Sequence, residues 1–215
     1  MAKLVLFSGG CNSGKTTTLK AVAEKLRSLG YEVEIIDEQI RKETNLSIDE
    51  LRKDTKAYLQ MQTKIIESKM AQEQKAIKDE SKKIYLADRA VTDSLFYLEN
   101  YVDKTRLDKS DLYEFYALHN DVTWYLKNFF KQYSLVIEFT PITMDEDDKY
   151  RPKNLSVLKL YEYKCISRLN YLYSTYSNTT DRIMRLSLNH VATEIAADII
   201  TRKIINNYGS IEFNI

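Results

Sequence analysis

Between Lys3 and Ala21 the chain reads KLVLFSGGCNSGKTTTLKA: an apolar run, then G-x-x-x-x-G-K-T, then a helix-forming segment. Nothing else in the 215 residues limits the fold as strongly, and three of the chain's five glycines fall in this one place. Glycines at such a junction let successive backbone N–H groups turn inward toward an anion. The helix that follows adds its positive N-terminal end. Lys15 supplies a mobile cation for the outer phosphates of a nucleotide, and the Thr16 hydroxyl is placed to ligate Mg²⁺. Gly9, Gly10, Cys11, Asn12, Ser13, Gly14, Lys15, Thr16 and Thr17 are therefore the predicted segment for binding the phosphates of a nucleotide. Cys11, Asn12 and Ser13 occupy its variable positions, where no chemistry is required.

Along the rest of the chain, apolar runs alternate with longer helical patterns. Strands are predicted at 3–8, 31–37, 83–88, 134–139 and 182–188. Helices are predicted at 14–30, stopped by Gly30, and at 47–80, 110–132, 154–175 and 189–206, the last with Asn189 as cap. In 47–80, Leu51, Tyr58, Met61, Ile65, Ile66 and Met70 make one apolar stripe. Strand–helix alternation means an α/β fold with a parallel sheet covered on both faces, a three-layer sandwich. The hydrophobic content of 44% suffices for one core, so 1–215 reads as one domain. Lys+Arg (32) balances Asp+Glu (31), which points away from nucleic acid as a partner. No apolar run nears the roughly 20 residues of a membrane span. The N-terminus reads as a strand and not a signal peptide, and Cys11 and Cys165 form no pair motif. A cytoplasmic location is the expectation.

Ligands of such sheets bind at the carboxyl ends of the strands, so the residues just after each strand matter most. After the second come Asp37, Glu38 and Arg41; Glu38 and Arg41 share a face if a helical turn begins there, and a solvated helix start is the alternative. After the third come Asp88 and Arg89. A carboxylate there can hold Mg²⁺ through water or accept a proton, and the arginine can clamp phosphate; a structural ion pair is the alternative. Asp93 is placed to cap or orient the next helix. After the fourth, the acidic segment ITMDEDDKYR lies between Pro141 and Pro152. It reads as a lid over about 141–153 that brings Lys149 or, better, Arg151 onto phosphates, with a solvated loop as the alternative. His119 and His190 show no metal-ligand spacing. Arg182 and Arg185 flank the last strand, and the aromatic 112–130 segment reads as helix core before it reads as a base-sized slot.

Taken together, GGCNSGKTT, DEQIR, DRAVTDSLFY and DDKYR resemble the small P-loop kinases of the nucleoside and nucleotide kinase group. The likeness is closest to the subgroup holding the kinase domain of nicotinamide riboside kinase/adenylyltransferase proteins and related AAA-like ATPases, with thymidylate kinases as near neighbours. It runs from Leu4 to about Ile200. It matches Glu38 and Arg41 to a Glu-x-x-Arg, Asp88, Arg89, Asp93 and Tyr97 to an Asp-Arg step with a further acid and aromatic, and Asp148 and Arg151 to a lid. The lid departs from the pattern, having Lys149-Tyr150 where a glycine is usual.

The resemblance implies sheet order 2-3-1-4-5 and ATP- and Mg²⁺-dependent transfer of a phosphoryl group to a small nucleoside or nucleoside monophosphate. Lys15, Asp37, Glu38, Asp88, Arg89 and Arg151 would be catalytic. Glu38, Arg41, Arg89 and Asp93 would bind the acceptor, and Thr16 and Asp88 the metal. No second, nucleotidyl-transferase domain is expected at this length. Two other readings stay open: an ATPase or GTPase switch acting on a protein through the 47–80 helix, and a kinase of nucleic-acid ends. The oligomeric state, including a homo-oligomer, is also open.

Overall fold

The computed structural model describes residues 3–9, 13–37, 53–89, 91–140, 182–188 and 191–207, together with positions 50, 160, 163, 167, 171 and 175. In chain order these form β1 (Lys3–Gly9), α1 (Lys15–Ser28), β2 (Val33–Ile36), α2 (Thr55–Lys78), β3 (Ile84–Asp88), α3 (Val91–Tyr101), α4 (Lys109–Phe129), β4 (Tyr133–Phe139), β5 (Ile183–Leu186) and α5 (Thr193–Asn207). Single turns of 3₁₀ helix at Lys104–Arg106 and Phe130–Gln132 flank α4.

The strands make one five-stranded sheet in the order β2-β3-β1-β4-β5, and every pairing is parallel. This is the expected order and class. β1 lies at the centre, with Phe7 opposite Asp88 on one side and Ser8 opposite Glu138 on the other. Because both faces are covered, β1 and β3 are near-continuous apolar runs without alternation. Leu4, Leu6, Tyr85, Ala87 and Val136 pack under α2, α3 and α4. Val5, Phe7, Leu86, Leu135 and Ile137 pack under α1 and α5. The two outer strands, β2 and β5, are only four residues each.

Local signals explain most helix limits. Gly30, at φ 86, ends α1, its N–H donating to the Arg27 carbonyl at 3.0 Å. Asp54 caps α2, accepting the Ala57 N–H at 3.0 Å, and Asp108 does the same for α4 through Asp111 at 2.9 Å. The stripe predicted on α2 packs on the sheet through Tyr58, Met61, Ile65 and Ile66, with Met70 partly buried; Leu51 lies outside the described residues. Asp54 sets the start of α2, and position 50 before it is also helical, while the rest of the expected stretch from 47 to 52 lies outside the described residues. One helix, α3, has no counterpart among the predicted ranges; at 11 residues it offers only about three turns over which a period can show. The core reading of 112–130 is correct for Phe115, Leu118, Val122, Tyr125 and Leu126, whereas Tyr113, Tyr116 and Trp124 are exposed. Among the described residues no helix is long and apolar enough to cross a membrane.

Candidate functional site

The loop between β1 and α1 has at both of its described ends a glycine in a conformation that L residues rarely adopt. Gly9 has φ 132, and a Cβ there would lie 2.3 Å from the Phe139 carbonyl oxygen of the neighbouring strand. Gly14 has φ 73, and its Cβ would meet Leu188 at 2.4 Å. Gly14 is also the N-cap of α1, so no side chain caps that helix and no acid sits in its first turn. A helix end with neither a side-chain cap nor an acid suits an anionic ligand. Thr18 returns its hydroxyl to the Gly14 carbonyl at 3.0 Å, which closes the turn from behind.

Lys15 is buried, and its ammonium donates to Ser13 Oγ at 3.1 Å, so it is folded back over the loop. Thr16 donates its hydroxyl to Asp88 Oδ2 at 2.6 Å. Asp88 is 3% exposed, and its other oxygen, Oδ1, has no hydrogen-bond partner among the described residues. A hydroxyl beside a buried carboxylate with an unfilled acceptor position fits Mg²⁺, which takes few protein oxygens and keeps waters and phosphates as its other ligands. Among the described residues there is no group of three or more His, Cys, Asp or Glu that could hold a metal by itself. Thr17, in contrast, is exposed on α1.

Asp93 lies in the first turn of α3, 2% exposed, and accepts from Ser8 Oγ at 2.9 Å and Gly9 N–H at 3.4 Å, which orients α3 against β1. Its carboxylate braces the end of β1 from beneath the loop. Arg89 follows Asp88 in the left-handed region, φ 61. Its guanidinium donates to the Tyr97 hydroxyl and stands over that ring, 5.1 Å from the centroid. Asp37 is exposed at the end of β2. Gly10, Cys11, Asn12, Glu38, Arg41 and Arg151, and with them the expected lid over 141–153, lie outside the described residues. So do His190 and the Asn189 cap. His119 pairs with Glu99 at 2.8 Å and Arg185 with the buried Glu138 at 2.9 Å, while Arg182 holds the Lys131 carbonyl at 2.9 Å.

Sequence reasoning missed two residues on α2. Lys69 and Glu73, both fully buried, continue the phase of Tyr58, Gln62, Ile65 and Ile66 into the core. Lys69 donates to the carbonyls of Ile36 (3.4 Å), Asp37 (2.6 Å) and Asp88 (2.8 Å). Glu73 accepts from the Val91 N–H at 3.1 Å, from Tyr125 Oη at 2.9 Å and from Tyr133 Oη. Burial pushes the Glu73 carboxyl above its ordinary value, although the Tyr133 hydroxyl and the Lys69 charge pull the other way. Burial and the nearby carboxylate together raise both tyrosine hydroxyls. The available signal was periodicity: two charges in register with an apolar stripe cannot both be solvated.

A parallel sheet in this order, with a glycine loop joining its central strand to a helix, defines an α/β P-loop NTPase. A Thr–Asp pair across the strand ends completes that definition. Within that class the chain belongs to the AAA domain family, whose model matches residues 4–172. Among solved structures, it is similar to the crystal structure of NadR protein in complex with NAD and AMP-PNP, at 15% identity and a TM-score of 0.56. That likeness covers 94% of this chain and 49% of the other, so the chain spans about half the length of that relative. No curated protein matches it.

Proposed function

We propose that this protein is an ATP- and Mg²⁺-dependent kinase that transfers a phosphoryl group to a small nucleoside or nucleoside monophosphate. The observation that carries the reading is the Thr16–Asp88 contact of 2.6 Å beside a buried Lys15. It is supported by the N-terminus of α1, which has neither a side-chain cap nor an acid in its first turn, and by Arg89 at the next strand end. The loop amides and Lys15 bind the β- and γ-phosphates. Thr16 and Asp88 would hold Mg²⁺, which would supply charge neutralisation on the phosphates. Arg89, whose left-handed backbone follows Asp88 and whose guanidinium stands over Tyr97, is assigned to stabilise charge on the transferring group. Arg41 and Arg151 are assigned the same charge-stabilising role, and Asp37 or Glu38 the acceptor's sugar hydroxyl. Asp93 acts on this reading by fixing Ser8 and Gly9 and not by touching the acceptor. The one-domain reading, with a helical acceptor-side region and a lid, is part of the same proposal.

The test is an acceptor screen. With ATP and Mg²⁺ alone, ADP release should be slow; one member of a panel of nucleosides and nucleoside monophosphates should accelerate it. Lys15→Ala should lower that rate by at least about 10²-fold, the scale for losing one charged donor at the reacting group. Fast hydrolysis with no acceptor would instead support an ATPase switch, which membership of the AAA domain family favours. Undiminished transfer by Lys15→Ala would refute the assignment of the loop.

A further inference from the structure

Lys69 occupies the middle of α2 and is 1% exposed. Its ammonium has three protons, and three main-chain carbonyls lie within reach: Ile36 and Asp37 at the end of β2, and Asp88 at the end of β3. These are the strand ends that open toward the glycine loop. One helical turn further on, Glu73 takes the N–H of Val91. Two side chains of one helix therefore hold both ends of the short segment 88–91, its first carbonyl through Lys69 and its last amide through Glu73. Within this segment the backbone turns left-handed at Arg89, a conformation L residues keep only when the surroundings enforce it. A methylene chain could fill the same space, but it could not bond two strands' carbonyls at once.

We propose that Lys69 is a positioning residue for metal-assisted nucleotide binding, tying the main chain of Asp88 to that of Asp37 so that the Asp88 carboxylate stays against Thr16. The inference rests on the reading of Thr16 and Asp88 as the Mg²⁺ side of a nucleotide site. It adds a residue of α2 that acts through the main chain of two strand ends. Removing the tie frees the Asp88 carbonyl, and the carboxylate on the same residue loses its fixed distance from Thr16. The three carbonyls that Lys69 holds belong to β2 and β3 strand ends and not to the glycine loop, so binding of the nucleotide without metal should be little changed.

The experiment is calorimetric titration of AMP-PNP into the native protein, Lys69→Met, Lys69→Gln and Tyr125→Phe, each with Mg²⁺ and with EDTA. Tyr125→Phe loosens the same buried network without touching either strand end. In the native protein Mg²⁺ should tighten binding. In Lys69→Met that gain should shrink about tenfold or more, the scale for losing the support behind a metal ligand. The affinity in EDTA should stay within about twofold of native, since the loop amides are untouched. Lys69→Gln should fall between, and Tyr125→Phe should keep the native gain. A native-sized gain in Lys69→Met, or an equal loss with and without metal, overturns the inference and leaves Lys69 as packing support. No binding by the native protein overturns the nucleotide reading itself, and the inference with it. If neither Lys69 variant folds, the ammonium resonance of Lys69 in the native protein decides by NMR. It should shift when Mg²⁺ is added to the AMP-PNP complex, and an unmoved resonance overturns the inference.

Discussion

Gly9→Ala and Gly14→Ala form a matched pair, because both glycines have positive φ but their missing Cβ atoms face different neighbours. At Gly9 the new carbon would sit 2.3 Å from the Phe139 carbonyl oxygen, and at 3.1 Å from its carbonyl carbon and nitrogen. That neighbour is backbone in the β1–β4 ladder and cannot step aside without opening the sheet. The backbone conformation costs about 1–3 kcal/mol, and forced overpacking adds about 1–3 kcal/mol, so Gly9→Ala should destabilise by about 2–6 kcal/mol. At Gly14 the clash, at 2.4 Å, is with the tip of the half-buried Leu188 side chain, which can rotate away. Only the left-handed penalty of about 1–2 kcal/mol then remains. With a urea m-value of about 2 kcal/mol/M, the midpoint should drop by about 1–3 M for Gly9→Ala and by at most about 1 M for Gly14→Ala. Equal drops in the two variants, or a Gly9→Ala midpoint within about 0.5 M of native, would show that β4 does not confine the loop as described.

Other predictions follow from the buried polar groups and caps. The Glu73 carboxyl titrates higher folded than unfolded, so the folded state keeps a proton that the unfolded chain gives up. Native stability should therefore fall as pH rises from the ordinary value of 4.5 toward the raised one, and Glu73→Gln should abolish that slope. Urea midpoints of both proteins at about pH 5 and about pH 8 check this, and parallel slopes count against it. Asp93→Ala strips the partner from the Ser8 hydroxyl and the Gly9 amide. It should cost about 1–3 kcal/mol in chemical denaturation and weaken nucleotide binding measured by calorimetry. Asp54→Ala removes the cap of α2 and should lower stability by about 1 kcal/mol, seen as a fall of about 2–4 °C in Tm.

How much was legible depended on whether a residue's role was local. The glycine loop, the strand–helix alternation and the Asp88–Arg89 strand end are stretches of consecutive residues, and each landed where its own pattern placed it. Thr16 meeting Asp88 followed from sheet order, which a resemblance supplied and periodicity alone could not. Asp93 was expected to cap or orient the helix after Asp88; the group it orients against, Ser8, lies 85 residues back, which no local window contains. Lys69 and Glu73 were overlooked in a helix rich in charge, where lysine and glutamate are usually solvated. Their burial is decided by long-range contacts, 33 residues back to Ile36 and 60 forward to Tyr133, that no local window contains.

The brevity of the two outer strands has a consequence for how copies of this chain behave toward one another. A border of four residues offers an incoming polypeptide few main-chain groups to pair with, and short borders are one way natural sheets resist lateral association. On the β2 side that protection is reinforced by charge. Glu34 of β2 and Glu32 just before it both engage Lys83, and Lys75 of α2 also reaches Glu34, so a foreign strand would have to displace three ionic contacts. The β5 border has Arg185 bonded to Glu138 of β4 and no such shield of paired lysines among the described residues. If partially unfolded copies aggregate through sheet growth, it should begin on the β5 side.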